Sequence, residues 1–495
     1  MKTLVQSASP TRSHQHPLPL SARSRLVDLA VTEAPLIIAV ACSAAVLFGH
    51  LATQFAADSW LNLVSGREIV DHGLPRHDVL AVVSRGHEWI DQQWLAHVFY
   101  YGAYLVGGLS LAARLNIIAF LIAVVGVYWF ARRRGATPIA VAVGSVPMLI
   151  VGIDFIRAQV LAEPLFVALV ALLASQSRRP TRRVTLAFPI LVLWANIHGS
   201  VVLGAGLVTA LGLVELSRGA RLRPVALVLL PWACVFASPY GSSLLTYYRA
   251  TLHNPEFARH LTEWASPKFA SVAGILLLAT ALAAVALIAR RPRELTRFEL
   301  AVLAVAFLGA VQAVRSIVWF VIAAAMLLPG LLGGAREEGH EPGLSVSQRA
   351  VVALAAAVAT FLALFSVAHP GPAIANDWPP GASRAVEDIL RSDPHARVLA
   401  GYDVADWVLF DSAASRGRIA FDGRWEILTR SEFLAAMHVL GPTGTGGRGY
   451  RVLVARPTTA GTLVRWYLRR PTVRVRYRSD RLIVLDLGRT GDPQP

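Results

Sequence analysis

A few polar residues stand out against an otherwise apolar chain. Asp58 opens the stretch Ala57 to Leu95, which follows the first long apolar run, and Glu88 and Asp91 return near its end beside Trp89 and Trp94. Further along come Asp154 and Arg157 in GIDFIRAQ, Asn196 and His198 in LWANIHGS, Glu263 in TEWASP and Arg315 in AVRSIVW. Positioned carboxylates can take a proton from an acceptor hydroxyl, and arginines can hold a phosphate through two parallel hydrogen bonds. Each residue also has a plainer explanation. Asp58 would cap a helix over 59–70, since Asp favours that position. Asp154 and Arg157, three apart at a helix start, would form a surface pair on one face. Asn196 and Gly199 suit a tight turn, which does not itself require His198. Glu263 reads first as a capping residue, and Arg315 as a side chain reaching for the membrane interface.

The elements that must position these residues follow from composition. The 495 residues are 55% hydrophobic and only 16% charged, whereas soluble domains carry about 25% charged residues. Mean hydropathy is +0.52. Apolar runs lie at roughly 34–54, 115–131, 137–153, 158–176, 184–197, 199–216, 224–238, 270–289, 298–313, 316–334 and 350–368, several near the ~20 residues that cross a hydrocarbon core. The segment 93–110 is ambiguous: it could span, or lie in the interface with its Trp and Tyr at headgroup level. Charge decides. With 93–110 interfacial and the N-terminus inside, the clusters at Arg132–Arg134, Arg178–Arg183, Arg218–Arg223, Arg290–Arg297 and Arg336–Arg349 all fall inside, as the positive-inside rule requires. The expectation is therefore a mainly α, polytopic helical bundle of about eleven spans in the plasma membrane. Its N-terminus is cytoplasmic and it carries a small C-terminal extracytoplasmic α/β domain. The formal charge of +16 then reports topology at an anionic leaflet, and nucleic acid is not an expected partner. Cys42 and Cys234 lie in apolar runs and offer neither a disulfide framework nor a metal spacing.

This topology gathers Asp58, Glu88, Asp91, Asp154, Arg157, Asn196, His198, Tyr240, Glu263 and Arg315 on the outer face, with Glu163 the main ionisable residue inside a span. The expected organisation is a disordered tail over 1–33, a membrane domain over 34–369 with outer loops 55–114 and 239–269, a Pro-marked linker over 370–382, and the outer domain over 383–490. In that domain strands are expected at Arg397–Gly401, Arg418–Phe421, Arg451–Ala455, Val473–Tyr477 and Leu482–Leu487, and helices at Ser383–Arg391, Ala405–Ser412, Ser431–Leu440 and Gly461–Arg469. Gly441–Gly449 follows a helix and precedes a strand, the wrong order for a phosphate loop. Phe421-Asp422-Gly423-Arg424-Trp425-Glu426 reads as a turn with a local ion pair, with glycan contact the other reading. His87, His97, His253 and His260 lack a zincin spacing, and no acidic doublet stands at Asp58-Ser59-Trp60. A divalent cation held by Asp58 and the other loop carboxylates stays open, and the metal ligands are undetermined.

On these residues the chain resembles the GT-C superfamily of polytopic glycosyltransferases, in a bacterial branch related to the protein O-mannosyltransferases and aminoarabinose transferases. The resemblance rests on DSWLNLVSGREIVDHG, GHEWIDQQWL, Asp154, WANIHGS, TEWASPKF and VRSIVWF, with FDGRWE in the outer domain. It implies transfer of a sugar from a polyprenyl-phosphate donor to an acceptor on the outer face, the acceptor being a glycan, lipid or protein. Asp58 would be the base or the acceptor-orienting group. Asp154 would support the acceptor or a metal, Glu88 is a further catalytic candidate, and Arg157 and Arg315 would bind the carrier phosphate. Asn196, His198 and Glu263 would contact substrate. Two other readings compete. A transporter or flippase would keep ionisable sites near the midplane, whereas this chain keeps them at one face. A non-catalytic scaffold whose outer domain binds a partner leaves that one-sided clustering unexplained.

Overall fold

The structure is a computed structural model that describes residues 30–152, 156–219, 222–252, 254–332, 346–369, 374–440 and 449–488. Runs rich in Ala, Val and Leu form helices because a helix satisfies its own backbone groups without water. The membrane part runs α1 (Ala34–Gly49), α2 (Ala57–His72), α3 (Trp94–Arg133), α4 (Pro138–Gly144), α5 (Val146–Val151), α6 (Ala158–Arg178), α7 (Ala187–Ala195), α8 (Val201–Leu216), α9 (Leu222–Val235), α10 (Leu244–Leu252), α11 (Pro255–His260), α12 (Val272–Arg290), α13 (Arg297–Gln312), α14 (Ile317–Leu327) and α15 (Val346–Ala368). Among the described residues, five helical stretches are long and apolar enough to cross a membrane: Trp94–Arg133, Ala158–Arg178, Val272–Arg290, Val314–Leu332 and Gln348–Ala368. α1, α8 and α9 are apolar but shorter. The expected run 137–153 breaks at Ser145 into α4 and α5, and Pro138 and Pro147 start the two pieces.

α3 is two rods in one. Gly107 and Gly108 leave helical geometry, Gly108 at φ +65° and ψ −167°, a combination open essentially to glycine alone. The break separates the ambiguous aromatic segment from the apolar run that follows it.

The bundle interior packs α6, α7 and α14 around Phe166, Trp194 and Trp319, with ring centroids 5.2 to 6.2 Å apart. One end of the bundle is held by ion pairs: Arg132 with Glu33, Arg134 and Arg178 with the fully buried Glu299, and Arg223 with Glu215. Glu299 also closes a capping box with Thr296 at the start of α13. α6 ends at Arg178, and its 21 residues span about 30 Å. Its other end, at Arg157, therefore lies at the opposite face of the bundle, where Asp58 also lies.

The outer domain runs α16 (Pro380–Ser392), β1 (Val398–Ala400), α17 (Ala405–Asp411), α18 (Arg430–Leu440), β2 (Val452–Ala455), α19 (Gly461–Leu468), β3 (Arg474–Arg478) and β4 (Ile483–Asp486). The sheet order is β1-β2-β4-β3, with β1 parallel to β2 and the other pairs antiparallel. β1, β2 and β4 are buried throughout, as short continuous apolar runs predict. The expected strand 418–421 is not one. Ile419 instead bridges Val398 on one side and Ala81 of the first outer loop on the other, with Val82 N–H donating to Ile419 O at 2.8 Å. A loop of the membrane part thus adds to the edge of the outer sheet. The linker is shorter than expected because α16 already begins at Pro380. Residues 1–29, 370–373 and 441–448 lie outside the described residues, and with them nearly all of the expected tail, two linker prolines and most of the Gly/Thr-rich loop.

The two parts are joined by more than the linker. Trp60 of α2 packs on Trp378 and Phe410, at 5.2 and 5.4 Å between ring centroids. Arg67 donates to the carbonyls of Leu409 and Phe410, closing the C-terminal turn of α17. Glu68 pairs with Arg416 at 2.6 Å, and Arg430 with the buried Glu256 at 2.7 Å.

Candidate functional site

A cavity of about 870 Å³ opens where α2, α6, α8 and α13 meet the C-terminal domain. Four charged residues from four segments converge on it. Arg157 Nε lies 2.9 Å from Asp58 Oδ2, and Arg157 Nη2 lies 3.1 Å from Glu263 Oε2. Arg315 Nη1 is 3.9 Å from Glu263 Oε1, and its guanidinium stacks over Trp264 at 4.4 Å. All four stay partly exposed.

Local sequence explains the placement. Asp58 does not cap α2. Ala56 holds the cap position, and the buried Ser59 hydroxyl accepts from the Ala56 N–H and donates to the Gln54 carbonyl. Asp58 therefore sits in the first turn, where the helix dipole favours a negative charge, and its carboxylate is left for Arg157. Arg157 is extended, at φ −137° and ψ 144°, just before α6, and Asp154 lies outside the described residues. Glu263 is not a cap either. Its carbonyl accepts from the Arg315 N–H at 3.0 Å and the Ala265 carbonyl accepts from Val314 N–H, which clips the second outer loop to the start of the Val314 span.

His198 lines the cavity beside the arginines. The Ser200 N–H donates to His198 Nδ1, so in the neutral ring the proton is on Nε2. Burial, and then the positive charges of Arg315 and Arg157, hold its pKa well below the ordinary value. Near neutral pH it is therefore an uncharged donor. Asn196 is not part of the site. Its amide caps Val192 and Ala237 carbonyls and accepts from the Trp94 indole at 2.7 Å, a purely structural use of every position. Glu88 is also displaced: it is exposed and lines a separate cleft of about 340 Å³.

Other residues enter the cavity with less warning from the sequence. Asp91 and His97, both buried, form a pair at 2.8 Å on its wall. The FDGRWE segment reaches in from the outer domain. Arg424 is buried, bonds to Asp422 at 2.9 Å and to Asp78 of the first outer loop at 2.7 Å, and stacks over Trp89 at 4.0 Å. Beyond it Glu426 lines both the cavity and the smaller cleft. Burial pushes its pKa up to about 7 despite Arg424 nearby. The local Asp422–Arg424 pair was legible as an ion pair in a turn. The partner 346 residues away, Asp78, was not.

A divalent cation does not fit the described residues. Asp58 and Glu263 are already committed to guanidinium groups, and no group of three His, Cys, Asp or Glu suited to a metal occurs among the described residues.

Among solved structures, ArnT from Cupriavidus metallidurans bound to undecaprenyl phosphate matches with a TM-score of 0.51 and 15% identity, over 96% of this chain and 100% of that chain. Its apo state matches at 0.50, with the same identity and coverage. The apo oligosaccharyltransferase of Archaeoglobus fulgidus aligns at 12% identity over 88% of this chain and 71% of that chain, with a TM-score of 0.48. No protein-family model matches the chain, and no curated protein matches it. The fold is shared with ArnT over nearly the whole of both chains: a helical membrane bundle with a small C-terminal α/β unit.

Proposed function

We propose that this chain is a plasma-membrane glycosyltransferase that moves a sugar from a polyprenyl-phosphate donor to an acceptor on the extracytoplasmic face. The observation that carries the reading is the Asp58–Arg157–Glu263–Arg315 cluster at an 870 Å³ cavity with one apolar wall. Leu252, Val305 and Leu308 line that wall while remaining exposed, which suits a lipid chain entering sideways. Arg157 and Arg315 would take the carrier phosphate, and His198 Nε2–H would add an uncharged donor. The sugar–phosphate bond breaks with its electron pair passing to phosphate, and fixed cations at that point stabilise the charge that develops. Asp58, held by Arg157, would orient the acceptor. Its carboxylate is already engaged by the Arg157 guanidinium, so this role suits it better than proton removal. The Arg-rich bundle end would then face the cytoplasm. That ArnT was crystallised with undecaprenyl phosphate makes this carrier the natural first probe.

The test is binding of undecaprenyl phosphate to the full chain in lipid nanodiscs. Arg157→Ala and Arg315→Ala should each weaken it about tenfold or more, the cost of a lost charge-assisted contact. Wild-type protein that binds no carrier would sink the reading and leave partner binding by the outer domain in its place.

A further inference from the structure

The smaller cleft meets the main cavity at three shared residues: Ile90, Tyr247 and Glu426. Its remaining polar lining is His87, Glu88, Thr246 and Thr429. No arginine or lysine lines it, whereas Arg157, Arg315 and Arg424 line the main cavity. The two cavities therefore differ in charge: cationic side chains line the main one and none lines the cleft.

Resting on the glycosyl-transfer reading, we infer that this cleft admits the acceptor, a neutral or cationic hydroxyl compound, and that Glu426 at its inner end is the catalytic base. The acceptor O–H gives its proton to the Glu426 carboxylate. The acceptor oxygen bonds to the anomeric carbon, the carbon–oxygen bond to phosphate breaks, and the electron pair leaves on the carrier phosphate. The products are a glycoside and the free polyprenyl phosphate.

Three features support the assignment. Glu426 is half-buried and, unlike Asp58 and Glu263, has no ion pair and no hydrogen bond to another side chain among the described residues. Its backbone is held by the clamp of Asp422, Asp78 and Trp89 on Arg424 and by a helical turn over Trp425–Ile427, so the carboxylate is carried on a rigid base. The groups that set its charge are Arg424, Asp422 and Asp91, with Tyr247, His87 and Glu88 on the facing walls. Burial is the largest of these influences and brings its pKa to about 7, where a general base works best at neutral pH. An acidic cleft also disfavours an anionic acceptor.

The experiment uses the full chain in nanodiscs with a panel of undecaprenyl-phosphate-linked hexoses and pentoses as donors and neutral methyl glycosides as acceptors. Release of undecaprenyl phosphate and its binding are both measured. Glu426→Gln should bind undecaprenyl phosphate within about twofold of wild type and lose roughly 10²- to 10⁴-fold in release, the usual worth of a general base. Glu426→Asp should recover part of the rate. Thr246→Trp, which fills the cleft, should abolish transfer with carrier binding intact. A Glu426→Gln rate within threefold of wild type overturns the base assignment and leaves sugar transfer standing. Loss of carrier binding in Glu426→Gln also overturns it, because the residue would then be holding the cavity in shape. If wild type neither binds the carrier nor cleaves any donor, both readings fall together.

Discussion

Asp58 and Glu426 are both acidic residues on one cavity, and their surroundings send them to opposite roles. Asp58 touches the Arg157 guanidinium at 2.9 Å. An anion beside Arg157 also competes with a bound phosphate. Asp58→Asn should therefore bind undecaprenyl phosphate more tightly, by up to about fivefold, given that a partly exposed pair is worth ~1 kcal/mol or less. Transfer should fall at the same time, and a carrier titration beside a turnover assay separates the two effects. Glu426 carries the opposite signature. Its pKa rises from 4.5 in the unfolded chain to about 7 in the folded one, so the fold prefers its protonated form. Whatever stability that form contributes is fully present below pH 4.5 and is lost as pH rises through 7. Glu426→Gln removes this loss. The variant should be more stable than wild type at pH 8, by up to about 3 kcal/mol, and equal to it near pH 4.5. Unfolding midpoints taken at both pH values check this, and a gap that does not change with pH would deny the strained carboxylate.

At the scale of elements, much was legible because local pattern and final contact agree. β1 and β2 are short apolar runs and β4 is apolar up to Asp486, all of them buried, and Asp58, Arg157, His198, Glu263 and Arg315 line one cavity while Asn196 and Glu88 do not. The failures share one cause, which is a partner far away in sequence. The run 418–421 has the composition of a strand, but its neighbours are Val398 and Ala81, so it forms bridges between two parts of the molecule. Gly66 shows no local signal, yet a Cβ there would lie 2.2 Å from the His97 carbonyl, so it sets how closely α2 approaches α3. Gly108 is the reverse case: its neighbour Gly107 marks a break that the structure contains. Gly108→Ala should cost about 1–3 kcal/mol, since φ +65° with ψ −167° strains any side chain. Unfolding in detergent should show a lower midpoint, and an unchanged one would mean that α3 can run straight.

The whole molecule makes the outer domain part of the site. The bundle alone supplies Arg157, Arg315, Asp58 and His198, which is enough to hold a phosphate. It does not supply Arg424 or Glu426, which the C-terminal domain adds to the cavity lining. Alignment between the two parts rests on buried aromatic packing and on buried charge. Trp60 meets Trp378 and Phe410, and Arg424 crosses to Asp78. Breaking a buried pair strands a charge, and removing a buried Trp costs about 3–5 kcal/mol. Trp60→Ala should therefore loosen the domain junction before it unfolds either part. The expected signs are faster proteolysis near residues 370–379 and loss of transfer, with undecaprenyl phosphate binding kept because the arginines are untouched. Arg391→Ala, which removes only an exposed pair with Glu387 inside the outer domain, should change neither. If Trp60→Ala loses carrier binding as well, the bundle end and the outer domain form one cooperative unit, and the division of labour between phosphate and acceptor must be drawn within it.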